Sequence, residues 1–152
     1  MKNYGLPKEF AEKWLAALRS GNYVQGGACL LSYEELGDFS VDFSKKSYCC
    51  LGVACALTGV KEKIYSGESF VSEDSNINIM YMLEKGYPKE LIGKKDLPYI
   101  LASLNDGIKI TNHLIDNYFS GIHFRKPFVL DEVYKLNFSE IADFIEDNVE
   151  FY

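Results

Sequence analysis

The chain has 152 residues, 47% of them hydrophobic and 14% aromatic, which suits one domain burying roughly two-thirds of its unfolded surface and excludes a disordered segment. Its 22 acidic and 16 basic residues give a net charge of -6, with Arg19 and Arg125 the only arginines, so nonspecific binding to a phosphate backbone is disfavoured. No apolar run approaches the roughly 20 residues of a membrane span, and the first residues lead into no signal-peptide apolar core, so a cytoplasmic protein is expected.

In chain order, Phe10, Trp14, Leu15 and Leu18 share a helical face and predict a helix from Pro7 to Leu18, with proline in a favourable first-turn position and Gly21 as the stop. Gly26 and Gly27 break the pattern. Residues 28–31 and 39–43 then read as short extended pieces of a small hairpin. Ser47 is the expected N-cap of a short helix with Cys50, Val53, Ala54 and Leu57 on one face and Gly59 as its end. From Val60 to Asp74 a loop is expected, with a strand near Ser69–Val71, followed by a helix from Asn76 to Lys85 that Gly86 and Pro88 terminate.

Asp96 can cap a helix that has Pro98 in its first turn and carries Ile100, Leu101 and Leu104 to the turn Asn105-Asp106-Gly107. Ile108 to Tyr118 has apolar residues at helical spacing, while Phe128 to Leu136 fits a strand or a helical turn equally. The last helix is the most fully specified. Asn137 and Glu140 stand at capping-box spacing, Phe138, Ile141, Phe144 and Ile145 form the apolar stripe, and the acidic residues from Glu140 to Glu150 read as a solvated face. The expected fold is α+β, mainly α: a single domain over 1–152 with five to six short helices and a small antiparallel hairpin or sheet.

The chemistry these residues suggest is sparse. Cys49 and Cys50 would sit near a helix N-terminus, where a thiolate is favoured, and a cysteine hydrolase would draw its base from His113 or His123. The competing reading is a set of small buried apolar residues, since unpaired cysteine is among the most buried residue types. The adjacent Cys49 and Cys50 would form a strained bridge, and a cytoplasmic setting keeps thiols reduced. Cysteine and histidine spacings match no zinc pattern, the carboxylates match no metal-hydrolase or EF-hand spacing, and no Walker or dinucleotide loop occurs, so no metal and no cofactor is expected. Asn105-Asp106-Gly107 reads as a helix stop bonding its own backbone. The stretch from Arg19 to Gly27 offers a guanidinium, a ring and an amide beside flexible glycine, a set able to hold a phosphate and read a base edge; the plainer alternative has Arg19 capping its helix and Tyr23 packing on the core.

Four blocks in order, Trp14 to Gly26, Tyr48 to Val53, Leu104-Asn105-Asp106 and Phe138 to Glu146, resemble a family of small bacteriophage and prophage accessory proteins with the pattern W-x-x-A-L-R-S-G-x-Y-x-Q, C-C-L-G-V, L-N-D and F-x-E-I-A-D-x-I-E. In that pattern the last helix follows L-N-D almost at once, so residues 107–137 stand out as an insertion. The resemblance implies a viral accessory protein in the host cytoplasm and supplies no activity. On it rests the expectation of a noncatalytic anti-defence protein that sequesters a small nucleotide-like immune signal through Arg19, Tyr23 and Gln25, joined by Arg125 and Phe128 of the insertion. Two alternatives stand beside it: an inhibitor docking on a host defence protein through its acidic last helix and aromatic insertion, and a hydrolase using Cys49 or Cys50. Self-association is left open.

Overall fold

The computed structural model describes residues 4–27, 31–35, 41–58, 89–91 and 96–152. In chain order these form β1 (Tyr4–Leu6), α1 (Lys8–Arg19), β2 (Leu31–Glu35), β3 (Val41–Tyr48), α2 (Cys50–Leu57), a single 3-10 turn at Lys89–Leu91, α3 (Leu97–Asp106), β4 (Ile108–Lys109), α4 (Asn112–Asn117), β5 (Val133–Tyr134), α5 (Phe138–Asn148) and β6 (Val149–Phe151). The loop, strand and helix expected between Val60 and Lys85 lie outside the described residues. The fold is α+β with small sheets; among the described residues there are three sheets of two strands each, β1 with β6 in parallel, β2 with β3 and β4 with β5 antiparallel.

The core is built where helices meet. α1 packs on α5 and α2, and α3 lies against both α2 and α5. Phe10, Trp14, Leu15 and Leu18 of α1 are all buried, as their spacing requires, and Gly21 takes the positive φ of 76° that ends the helix. In α5 the Asn137 side chain accepts from the Glu140 amide at 2.8 Å while the Glu140 carboxylate accepts from the Asn137 amide at 3.0 Å, completing the capping box. β6 leaves α5 directly and runs alongside β1, so the two ends of the described chain are joined beneath the α1–α5 contact.

Several local expectations change. Ser47 belongs to β3, paired with Ser32, and the N-cap of α2 is Cys49, whose sulfur accepts from the Gly52 amide at 3.4 Å. α2 is buried on all sides from Cys50 to Cys55, so no single stripe describes it, and Leu57 is 37% exposed rather than facing inward. A helix apolar all round belongs to an interior, and here α1, α3 and β3 pack against it. Asp96 occupies the N-cap of α3 without making a capping bond. The helix expected from Ile108 to Tyr118 is instead a two-residue strand followed by a shorter helix. Gly107 turns the chain with φ 96°, Ile108 and Lys109 pair with Tyr134 and Val133, and Thr111 caps α4 by accepting from the Leu114 amide. The sheet β4–β5 thus closes the two ends of segment 107–137 on each other, and the ambiguous stretch from Phe128 to Leu136 resolves into a turn and β5.

Candidate functional site

Three of the four sequence blocks meet at one fully buried amide. Asn105 stands in the last turn of α3, and its Oδ1 accepts from the Gln25 side chain at 3.1 Å and from the Cys50 main-chain amide at 3.2 Å. Its Nδ2 donates to the Gly26 carbonyl at 2.8 Å and to Asp106 Oδ1 at 2.9 Å. All four hydrogen-bonding positions of the amide are therefore used. Gln25 extends the network by donating to the Leu136 carbonyl at 2.9 Å, and the Leu136 amide donates in turn to the Leu104 carbonyl at 2.8 Å. From the other side Trp14 donates to the Cys50 carbonyl at 3.0 Å, and the Cys50 thiol lies 3.5 Å from the Leu101 carbonyl. The start of α2 is thus held by α1, by α3 and by the turn after α1. The helix does stop here, at Asp106 with Gly107 after it, but the expectation that Asn105 bonds its own backbone is corrected: its amide bonds the distant Cys50 and Gly26 backbone and the Gln25 and Asp106 side chains.

The fourth block contributes charge. Asp143, Glu146 and Asp147 fall three and four residues apart, which puts them on one face of α5. Arg19, at the end of α1, places Nη2 2.7 Å from Asp143 Oδ1 and Nη1 3.0 Å from Glu146 Oε2. Arg125 meets both oxygens of Asp147, at 2.8 and 2.9 Å, and adds Asp143 Oδ1 at 3.2 Å and Glu146 Oε1 at 3.4 Å. The only two arginines of the chain therefore converge on the same carboxylates. Hydrogen bonds to Asp143 and to Asp147 hold the Arg19 and Arg125 guanidinium groups, respectively, above the ordinary arginine range. The acidic face expected to be solvated is an ion-pair network that ties α1 and segment 107–137 to α5.

Asn148, one turn further along the buried side of α5, clamps the same segment. Its side chain accepts from the His123 amide and donates to the His123 carbonyl, both at 2.8 Å. Above these clamps Phe119, Phe124, Phe128 and Tyr134 pack in tilted and edge-on pairs 4.9 to 6.2 Å apart, with Phe124 reaching Phe144 of α5 at 5.4 Å. Segment 107–137 is thereby a folded layer with its own aromatic core. Beneath it lies a cleft of about 230 Å³ between Phe124, Arg125, Lys126 and Tyr134 on one side and Glu140, Asp143 and Phe144 on the other. The turn from Val129 to Val133 carries three exposed apolar side chains, Val129 at 57%, Leu130 at 45% and Val133 at 74%.

A profile described as "Domain of unknown function (DUF8296)" matches residues 6–149, a span that takes in the buried amide, the ion-pair network and segment 107–137. The chain belongs to the DUF8296 family. Nothing among curated proteins or solved structures matches it.

Within this DUF8296 chain the thiols of Cys49, Cys50 and Cys55 sit in the packing. Burial pushes Cys49 and Cys55 up to about 12 and Cys50 well above the ordinary thiol value, so at neutral pH the thiolate is scarcely populated. His113 bonds Asn117, and His123 faces Asp147 at 3.9 Å. Among the described residues no group of three or more His, Cys, Asp or Glu could hold a metal ion, and no helix is long and apolar enough to cross a membrane.

Of the residues proposed from sequence to bind a ligand, Arg19 and Arg125 are brought together, but on carboxylates. Tyr23 packs edge-on against Tyr48, with ring centres 5.2 Å apart, and Gln25 is turned inward to Asn105 and Leu136. Phe128 lies in the aromatic layer behind the cleft. The sequence reading missed Asn105 and Asn148 as buried anchors. Asn148 had a visible signal, since it falls three residues after Ile145 on the apolar stripe.

Proposed function

We propose that this protein works by noncatalytic binding, and that it docks on a protein partner through the exposed apex of the turn Val129–Val133, next to where β4 and β5 close segment 107–137. In the setting its sequence blocks imply, a phage accessory protein in a bacterial host, that partner is a host defence protein. The observation that carries the reading is the exposure of three large apolar side chains within five residues of one turn. Exposed apolar side chains gathered at one place mark contact surfaces, and a rigid presentation lowers the ordering cost of binding. This turn is rigidly held: the Asp131 amide donates to the Ile110 carbonyl at 2.7 Å, the Ile110 amide to the Glu132 carbonyl at 3.0 Å, and Asp131 accepts a positive φ of 66°. The aromatic layer backs it from within.

The acidic face of α5 contributes less to this reading than expected, because Asp143, Glu146 and Asp147 already face two guanidinium groups. Capture of a nucleotide-like signal at Arg19, Tyr23 and Gln25 also draws less support. A phosphate at Arg19 would have to displace two carboxylates, and Gln25 has its amide committed to the interior.

The test is affinity capture from host lysate with the parent chain and with a double variant, Val129→Asp with Val133→Asp. Both positions are exposed, so the fold is expected to tolerate the change within about 0.5 kcal/mol. A stoichiometric partner lost from the variant supports the reading; equal capture by both proteins removes the apex from it.

A further inference from the structure

We infer that the cleft beneath segment 107–137 is a binding site for a small apolar amino acid in its zwitterionic form, separate from docking at the apex. Size sets the first limit. A cleft of about 230 Å³ is smaller than the roughly 300–1,000 Å³ of pockets that take drug-sized ligands, which favours a ligand the size of leucine or phenylalanine over a nucleotide. The walls set the second: Phe124, Tyr134 and Phe144 offer rings to an apolar side chain.

Charge sets the third. Arg125 and Lys126 face Glu140 and Asp143, two cations against two carboxylates, so the lining is balanced and a polyanion meets as much repulsion as attraction. What decides the class is which of these groups have capacity left. Arg125 is saturated by Asp143, Glu146 and Asp147. The Lys126 ammonium has three N–H groups and makes one hydrogen bond among the described residues, to the Lys135 carbonyl at 3.0 Å, with Glu140 Oε2 farther away at 3.7 Å. Both arginines approach Asp143 through Oδ1, leaving Oδ2 without a hydrogen bond among the described residues, and Glu140 spends Oε1 on the helix cap while Oε2 makes only the 3.7 Å approach. The Lys126 ammonium and Glu140 Oε2 thus form a loose ion pair at 3.7 Å with hydrogen-bonding capacity left on both, and Asp143 Oδ2 adds an acceptor without a hydrogen bond among the described residues, all on a cleft lined by rings. A carboxylate on Lys126 and an ammonium between Glu140 and Asp143 would use that capacity, with the side chain against Phe124, Tyr134 and Phe144.

The experiment is an amide-resolved NMR titration of the full chain with L-leucine, L-phenylalanine, 3-phenylpropanoate, 2-phenylethylamine and AMP. The expected result is saturable shifts at residues 124–126 and 140–144 with at least one amino acid. The free acid and the amine should bind at least about tenfold more weakly, each having lost one charge-assisted contact. Lys126→Met should weaken phenylalanine about tenfold and leave 2-phenylethylamine unchanged. The inference is overturned if neither amino acid gives saturable shifts at about millimolar concentration, or if AMP or the free acid binds as tightly as the zwitterion.

Discussion

Replacing Asn105 by alanine removes an amide whose four hydrogen bonds join the turn after α1, the start of α2 and the end of α3. The partners do not suffer equally. Gln25 keeps its bond to the Leu136 carbonyl, and the exposed Asp106 can turn to water. The Cys50 amide cannot, because Cys50 is fully buried, and an orphaned buried N–H costs about 1–3 kcal/mol. The Gly26 carbonyl is only half-buried, so its loss adds about 0.5–1.5 kcal/mol. Together these predict a destabilisation of about 3 kcal/mol, which for a domain of this size lowers Tm by roughly 6–12 °C. Urea unfolding should show a lower midpoint at an unchanged slope, since the surface exposed on unfolding is nearly the same. Asn105→Asp keeps an acceptor for Cys50 but loses the donor to Gly26 and sets a carboxylate against Asp106, so it should be no more stable than alanine. A cost under about 0.5 kcal/mol for Asn105→Ala, the range of an ordinary surface change, would refute the assignment of Asn105 as the central anchor.

The buried thiols predict a pH dependence. Unfolded thiols titrate near their ordinary 9.0 and the folded Cys49 and Cys55 near 12, so the folded state keeps protons the unfolded state has lost. Their contribution is fully present below pH 9 and disappears as pH rises toward 12, at up to about 1.4 kcal/mol per pH unit for each thiol. Comparing urea midpoints at pH 8 and pH 10, Cys55→Ala should lose about 1.4 kcal/mol less than the parent chain, and an identical loss would contradict the burial of that thiol. Arg125→Ala should speed amide exchange in residues 121–137 while α1 and α3 keep their protection, because the Arg125 ion pairs tie segment 107–137 to α5 and touch neither α1 nor α3. Added salt should reproduce part of that effect through screening of half-exposed pairs, and unchanged exchange in both experiments would show that the clamp rests on Asn148 alone.

How much of this was legible depended on whether the deciding interaction was local. The last helix was read nearly whole, since its cap, its box and its stripe are written within 11 residues. The first helix was read for the same reason. α2 was harder, because its cap is a thiol instead of a hydroxyl and its burial on all sides leaves no periodic signal. Ile108 to Tyr118 carries a helical pattern, but the left-handed turn at Gly107 and the pairing with Val133 and Tyr134 claim its first two residues for a strand. Asn105 was misread because an Asn-Asp-Gly turn explains it locally just as well; its actual partners lie 55 and about 80 residues away. Arg19 is similar, meeting Asp143 across 124 residues, a distance at which one sequence carries no pairing information. The apex was not legible: Val129, Leu130 and Val133 look like core residues until the aromatic layer is seen to fill that core without them.

The most direct test of binding through the apex is photo-crosslinking in host cells, with a photoreactive residue at Val133 and, as a control, at the exposed Lys13 on α1. The account predicts one discrete adduct from position 133, abolished by Leu130→Asp, and none from position 13. No adduct at 133, or the same adducts from both positions, would contradict it.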